Sequence, residues 1–244
     1  MLTLRSDDPI AIEVCQAIRT GDVEQLQQLL AANPNLVHAR VTPAECSDGN
    51  SRTLLHIATD WPGNLPNVAA TIRALVDAGA DVNARFSGAH SETALHWAAS
   101  GDDLEALETL LDAGADIEAE GAVIAGGTPL ADAVAFGQWQ AAKRLIERGA
   151  HASLWQAAAL GLMATVREHC NRTPGPSPHE ITNAFWCACH GGQRDSAEYL
   201  LKRGAELNWV GHDGLTPLDA ASRSEADSLV AWLRRQGAGS AEQD

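Results

Sequence analysis

The chain has 244 residues, 45% of them apolar, and its 32 acidic and 17 basic side chains give a formal net charge of −15. This charge excludes general binding to nucleic acid, because affinity for a phosphate backbone comes from cations that release counterions. No stretch approaches the ~20 consecutive apolar residues of a membrane-spanning helix. We therefore expect no membrane partner and a cytoplasmic location.

The negative charge is concentrated in the first half of the chain. Residues 1–126 hold 6 basic and 19 acidic side chains, and no Lys or Arg lies between Arg85 and Lys143. An acidic surface attracts basic partners at low salt. A solvated, solubilising surface explains the same composition, so both interpretations stay open at this point.

The first predicted unit is a helix pair over residues 9–40. After a break at Gly21, the apolar residues Val23, Leu26 and Leu30 recur at helical spacing. The unit lacks the opening motif of the later ones. We interpret it as an N-terminal cap with a more polar outer face, which the end of a repeat array requires.

The clearest unit runs from Glu92 to Ala119. Thr93 precedes a short helix in the manner of an N-cap, and a second helix ends before Gly114, which favours a left-handed cap. Self-similarity at this spacing predicts a helical repeat array. The opening threonine recurs as Thr53, Thr93, Thr128 and Thr216, and the closing Gly-Ala pair begins at Gly79, Gly114, Gly149, Gly204 and Gly237.

We predict seven helix–turn–helix units in a single domain, residues 9–238, followed by a tail, residues 239–244. After the N-terminal cap of residues 9–40, the predicted units are 48–84, 85–119, 120–152, a short one at 153–176, 177–210 and a C-terminal cap at 211–238.

These motifs resemble those of ankyrin repeats. Residues 55–58 (Leu-His-Ile-Ala) and 79–84 (Gly-Ala-Asp-Val-Asn-Ala) match the family's Thr-Pro-Leu-His-x-Ala opening and its Gly-Ala-Asp-x-Asn close. The likeness covers about residues 10–238, and the pattern is similar to that of actinobacterial ankyrin proteins of unassigned function. The resemblance implies an all-α solenoid of helix pairs with short β-hairpin fingers, and a non-enzymatic protein–protein interaction module.

The resemblance also implies roles for particular segments. In the family, the motif histidine, here His56 or His96, forms a hydrogen bond with the backbone of the finger region. The connectors at residues 85–92 and 120–127 correspond to fingers, each two residues longer than the family norm. Between the fourth and fifth units the finger is missing, because residues 149–153 run directly into the next helix.

We predict that a partner protein, for which a basic segment is one candidate, contacts the concave face and the finger tips. Acidic residues at the finger bases lie where partners of the family usually bind. Trp97 follows the motif histidine on the side expected to face the concave surface. The predicted partner-binding residues are Phe86, Glu92, Trp97, Glu118, Glu120 and Asp132.

A second hypothesis is a small-molecule binder or an unrecognised enzyme that uses a notch at the missing finger. Trp155 and Trp186 fall in the histidine position of their units, where either packing or pocket lining explains a large ring. The predicted pocket residues are Trp155, Gln156, Trp186, His190, Trp209, His212 and Asp213. A third hypothesis is an acidic inhibitor or immunity protein.

No catalytic residue, cofactor or metal site is predicted. The sequence has no nucleophile elbow, phosphate-binding glycine loop or paired-histidine metal motif. Cys187 and Cys189 lie two positions apart on one predicted helix, about 200° around its axis, so they cannot share a metal ion. The cysteines are odd in number and scattered, which favours reduced packing thiols without disulfides. They are Cys15, Cys46, Cys170, Cys187 and Cys189.

Overall fold

The computed structural model describes residues 2–44 and 49–241, so Cys46 lies outside the described residues. Within this range fourteen α-helices follow one another as seven consecutive pairs, as an ankyrin-repeat solenoid requires. Contacts divide the chain into two compact units, residues 1–150 and 151–244. The division comes within the six residues, 148–153, that join the fourth pair to the fifth.

The first unit contains four helix pairs. Within it, the second helices of neighbouring pairs contact one another, and so do the first helices, which is the nearest-neighbour stacking of a repeat array. The pairs are α1 (Pro9–Thr20) with α2 (Val23–Ala32), α3 (Leu54–Ala58) with α4 (Val68–Asp77), α5 (Ala94–Ser100) with α6 (Leu104–Asp112), and α7 (Pro129–Ala135) with α8 (Trp139–Glu147).

A small sheet at the start of the first unit was not predicted. Strand β1 (Thr3–Arg5) pairs in parallel with β2 (Arg40–Thr42), which pairs antiparallel with β3 (Arg52–Thr53). Leu4 is buried in this sheet. The residues before the first helix therefore cover the N-terminal repeat through strand hydrogen bonds. The pairing of β1 with β2 joins residues 37 positions apart, so no local sequence pattern indicates it.

The second unit contains three helix pairs around a core that includes the fully buried Phe185. The pairs are α9 (Leu154–Ala159) with α10 (Met163–Asn171), α11 (Pro178–His190) with α12 (Arg194–Leu201), and α13 (Pro217–Arg223) with α14 (Asp227–Arg235). The predicted capping box at the start of α11 is present: Ser177 and Glu180 each bond to the other's backbone N–H.

The motif histidines fix the start of their own helix and the foot of the next finger. In α5 the N–H of Thr93 donates to Nδ1 of His96, at 3.1 Å, so the network assigns the proton to Nε2. His96 Nε2 then donates to the carbonyl of Gly127 at 3.3 Å. His56 does the same with the carbonyl of Glu92, at 3.1 Å. The implied histidine–finger bond is thus present in both repeats.

Trp186 forms the equivalent bond in the second unit. Its indole Nε1–H donates to the carbonyl of Leu215 at 2.8 Å. Like Glu92 and Gly127, Leu215 comes immediately before the N-cap threonine of the following repeat. Trp186 therefore replaces the motif histidine in function as well as in position.

The short repeat has no ring donor of this kind at Trp155. In α9 the side chain of Gln156 accepts from the N–H of Ser153, at 2.7 Å, and completes the capping box. The capping role of the motif histidine thus belongs to Gln156, one residue later than the predicted position, and Trp155 packs against the core of the second unit.

None of the helices in the described range is long and apolar enough to cross a membrane. The longest, α11, has 13 residues, whereas a membrane crossing needs about 20.

If the indole of Trp186 replaces the motif histidine, the substitution Trp186→Phe should lower the free energy of unfolding by about 1 kcal/mol, because the Leu215 carbonyl loses one of its two donors and keeps only the N–H of Gly211. Urea unfolding followed by circular dichroism measures this. Trp209→Phe is the matched control, since Trp209 is only half-buried and has ring contacts with His179 and His212. Equal losses in the two variants would contradict the bridging role.

Candidate functional site

Two neighbouring connectors of the first unit form hairpin-like loops, which we call the second finger (residues 85–92) and the third finger (residues 120–127). The second closes through a 2.6 Å bond from the N–H of Phe86 to the carbonyl of Glu92. The third closes through bonds from Gly121 to Gly126 and from Ala122 to Gly127, both 2.9 Å. These bonds give each finger a defined backbone course.

The two fingers are also bonded to each other. The N–H of Ser91 donates to the carbonyl of Gly121 at 3.2 Å, and the Arg85 guanidinium donates to the carbonyls of Ser91 and Glu120. A side chain at position 121 would collide with Ser91, since a Cβ there would lie 2.5 Å from its carbonyl oxygen. Glycine at 121 is thus required for this close approach.

Three rings beside the fingers form what we call the aromatic patch, made of Phe86, His90 and Trp97. Phe86 stacks on His90 with ring centroids 4.5 Å apart, and its centroid lies 5.7 Å from that of Trp97. The Trp97 ring in turn meets the edge of His56, at 4.9 Å. All three patch rings are half-buried, so each is fixed by packing and still presents part of its surface.

Glu92 lies beneath the aromatic patch, and its prediction as a partner-binding residue is wrong. It is only 5% exposed. Its Oε1 accepts the N–H of Val123, at 2.9 Å, and its Oε2 accepts the indole N–H of Trp97, at 2.8 Å. His90 Nδ1 lies 3.0 Å from the same Oε2. The carboxylate therefore connects both fingers to α5.

Asp132, at the start of α7, is also wrongly predicted as a partner contact, because it is fully buried. Neither carboxyl oxygen has a hydrogen-bond partner within the described residues. Its polar neighbours are the Glu92 carboxyl and the N–H of Ile124. Burial, and then the charge of Glu92, raise the pKa of Asp132 to about 8. A carboxyl with such a pKa is largely protonated at pH 7.

The other predicted acidic contacts are more accessible. Glu120 is exposed, and Glu118 is half-buried, with its N–H donating to Asp116 at 3.0 Å. Val123, at the tip of the third finger, is 57% exposed. Val123 and His90 were not among the predicted residues, although an apolar residue in a glycine-rich connector and a histidine in a lengthened finger are both visible in the sequence.

The comparison with protein-family models gives a match for residues 14–121, to ankyrin repeats in three copies. Residues 14–121 belong to the ankyrin-repeat family. A search of solved structures returns the human ASB11 ankyrin repeat domain with 22% sequence identity and a TM-score of 0.49, covering 93% of this chain and 84% of that chain. No curated protein matches the chain.

In the second unit, most of the predicted pocket residues pack against one another. Trp186 and His190 are 3% and 8% exposed, so neither lines an open pocket. Their rings stack at 5.6 Å, and His212 meets Trp186 edge-on at 5.0 Å. Gly211 is pressed against the Trp186 and Trp209 rings. These side chains are thus engaged with one another within the second unit.

The remaining predicted pocket residues have structural contacts of their own. Asp213 forms a 2.6 Å ion pair with Arg223, which keeps the pKa of Asp213 below its ordinary value. His212 Nε2 lies 2.9 Å from the side-chain oxygen of Asn183. Trp155 is half-buried against the core of the second unit, and Gln156 is buried in its capping box.

Among the described residues, no group of three or more His, Cys, Asp or Glu side chains is placed to hold a metal ion. Cys187 and Cys189 are buried free thiols on α11. Burial raises the pKa of Cys187 to about 12, and it raises the pKa of Cys189 as well. Thiols that stay protonated neither ligate metals nor act as nucleophiles at neutral pH, which agrees with their interpretation as packing residues.

The buried carboxyl of Asp132 predicts a distinct pH dependence. The folded state keeps a proton that the unfolded chain has lost between about pH 4 and pH 8, so this group makes stability fall as pH rises through that window. In Asp132→Asn the fall should be absent, and at pH 9 the variant should be about 2 kcal/mol more stable than the wild type.

The free energy of unfolding of the full chain, measured by urea unfolding from pH 5 to pH 9, tests this expectation. Glu120→Gln, which removes an exposed carboxylate of the third finger, serves as the control and should leave the pH profile unchanged. If Asp132→Asn and the wild type lose stability in parallel as pH rises, Asp132 is not the proton-binding group.

Proposed function

We propose that this ankyrin-repeat protein is a non-enzymatic binding module that holds a partner protein at the aromatic patch and at the exposed edges of the second and third fingers. Ankyrin repeats are generic protein-binding modules, which supports the class of function. The particular surface is supported by one observation: half-exposed rings are held in place by a buried carboxylate that also connects the two fingers.

Rigidity is what makes this patch suitable for binding. Large rings that are already ordered lose little conformational entropy when a partner covers them, and aromatic residues dominate the energetics of protein interfaces. The Trp97 indole is fixed by its bond to Glu92, and Phe86 is fixed by stacking on His90. Val123 adds an exposed apolar side chain on the neighbouring finger.

The charge around the patch favours a partner with a basic segment. Glu120 is exposed on the third finger, and the segment from residue 86 to residue 142 contains no Lys or Arg. The guanidinium of Arg85, just before this segment, donates to backbone carbonyls of the fingers. Electrostatic attraction of this kind acts mainly on the association rate and weakens with salt. An acidic inhibitor or immunity protein would use the same surface, and the partner's identity distinguishes it from a general adaptor.

The test uses the immobilised full chain as bait in extracts of the source cells, beside the variants Phe86→Ala and Val123→Asp. A genuine partner should be retained by the wild type and lost from both variants. Once re-expressed, it should bind the wild type at least tenfold more tightly than either variant, as truncating a central aromatic contact predicts.

Val210→Asp is the matched control, because Val210 is about as exposed as Val123 but belongs to the second unit. It should retain the partner. A partner that binds the wild type and both finger variants equally would remove the surface assignment, and one that is lost only from Val210→Asp would place the binding surface in the second unit.

A further inference from the structure

Two arginines of the second unit lie over the same aromatic ring, that of Tyr199. Tyr199 is the single tyrosine of the chain, lies on α12 and is half-buried against the core of its unit. The guanidinium carbon of Arg167, on α10, lies 5.3 Å from the centroid of this ring, and that of Arg203 lies 4.7 Å from it. Both arginines are exposed. We call Arg167, Tyr199 and Arg203 the cationic patch.

The ring and the nearby backbone hold these guanidinium groups in place. A cation over an aromatic face is attracted by the quadrupole of the ring. Arg203 also donates to the carbonyl of Cys170 at 3.3 Å and to the side-chain oxygen of Asn171 at 2.9 Å. These bonds use two of its five N–H donors. Arg167 donates no hydrogen bond within the described residues, so most donors of the patch are available to a ligand.

The two guanidinium groups also lack a carboxylate partner. Among the ion pairs of the described residues, none includes Arg167 or Arg203. Two other arginines, one at the end of α10 and one on α12, do have such a partner. These pairs are Arg172 with Glu168, at 2.9 Å, and Arg194 with Glu198, at 2.8 Å. In a chain with 32 acidic and 17 basic side chains, a local excess of positive charge on one ring therefore stands out.

We propose that the cationic patch binds an acidic segment of a partner protein, with Arg167 and Arg203 each donating to one of its carboxylates. Guanidinium groups bind carboxylates through paired, charge-assisted N–H bonds. Since both guanidinium carbons lie about 5 Å from one centroid, they are at most about 10 Å apart. Alternate residues of an extended segment are about 6.6 Å apart. Two acidic residues of one such segment therefore reach both arginines.

The ring makes this pair of arginines better suited to binding than arginines that are free in solvent. A long side chain loses rotamer entropy when a ligand fixes it, and that loss opposes binding. Arg167 and Arg203 are already ordered by Tyr199, and Arg203 also by its bonds to Cys170 and Asn171. Less entropy is left to lose when a carboxylate arrives.

Charge favours an acidic protein segment over a nucleic acid. The net charge of −15 repels a long polyanion, whose phosphates extend beyond the patch. Affinity for a phosphate backbone grows with the number of phosphates that are neutralised, and the patch offers two arginines and the adjacent, exposed Lys202. A segment with a few carboxylates matches that number of cations without bringing further negative charge near the acidic chain.

The single tyrosine serves as a reporter of binding. The experiment labels the tyrosine ring of the full chain with ¹³C and titrates it, at pH 7 and low salt, with a short acetylated peptide amide in which glutamate alternates with glycine. The ring signals of Tyr199 should shift and saturate in the millimolar range. Raising the salt concentration to about 0.2 M should weaken binding at least threefold, because exposed charges are screened.

Arg167→Gln and Arg203→Gln should each weaken binding of the peptide at least threefold, with unchanged circular dichroism because both side chains are exposed. Arg194→Gln is the matched control, since it removes an exposed arginine of the same unit that is already paired with Glu198. It should bind the peptide as the wild type does. Equal losses in all three variants would mean that only the total charge matters, and would overturn the proposal.

Two further probes test the chemistry of the ligand. The same peptide with glutamine in place of glutamate should leave the Tyr199 signals in place, and a thymidine oligonucleotide should bind more weakly than the acidic peptide. The proposal is wrong if the two peptides cause equal shifts, if the acidic peptide causes none up to about 100 mM, far above millimolar affinity, or if the oligonucleotide binds more tightly.

This inference does not rest on the finger surface proposed above, because the cationic patch belongs to the second unit and the fingers belong to the first. Phe86→Ala, which removes a ring of the aromatic patch, should therefore bind the acidic peptide as the wild type does. Arg167→Gln should in turn retain a partner that depends on Phe86 and Val123. Loss of peptide binding in Phe86→Ala would contradict the assignment to Arg167 and Arg203.

Discussion

The bond from a ring on one repeat to the backbone before the next is the interaction on which the rest of the site depends. His56, His96 and Trp186 each donate to the carbonyl that precedes the next N-cap threonine. A finger is a loop with few apolar contacts, so its buried backbone groups need such partners. Because the acceptor is at the foot of the finger, the bond fixes where the finger leaves the helix stack. The positions of the other finger residues depend on that point.

Glu92 extends the same principle from backbone to side chain. Its carbonyl accepts the bond from His56, and its carboxylate accepts from Trp97 and Val123. A single residue thus receives bonds from three successive repeats. Burying a carboxylate is costly unless its oxygens are bonded, and here both are. The energetic cost falls on Asp132 instead. Its carboxyl lies beside Glu92, and burial together with the Glu92 charge raises its pKa, so it keeps its proton to a higher pH than an ordinary aspartate does. The order of the fingers therefore depends on two acidic side chains that are buried next to each other.

The repeat pattern was readable from the sequence because its signals are local. Thr93, His96 and Gly114 act within a few positions of one another, so periodicity alone predicts the helix pairs. The burial of Glu92 and Asp132 is not local, since they come together from positions 40 residues apart. For the same reason their burial was not predicted: the base of the second finger, where Glu92 lies, is expected to be exposed until the third finger is placed over it, and Asp132 lies in α7 at the position that Trp97 occupies in α5.

Cap assignments show the same limit at shorter range. Asp103 caps its own helix, with the N–H of Ala106 donating to it at 3.0 Å, as the sequence indicates. Asp102, one residue earlier, instead accepts from the N–H of Ala141 on α8, in the next repeat. Their different partners follow from the left-handed backbone at Asp102, where φ is 51°. Other repeats have a left-handed glycine at the same place, two residues before the second helix, as at Gly21 and Gly137.

The position of an aromatic residue within the repeat determines whether its ring is buried between repeats or partly exposed at the surface. Trp186 occupies the ring-donor position, where its N–H must reach the next repeat's backbone, and it is consequently buried. Trp97 comes one residue after the ring donor His96, so its N–H is free to bond Glu92 while part of its ring stays at the surface. Residue type alone made both tryptophans candidates for binding. The one-residue difference in register assigns the first to the core of its unit and leaves the second, beside Phe86 and His90, where a partner can reach it.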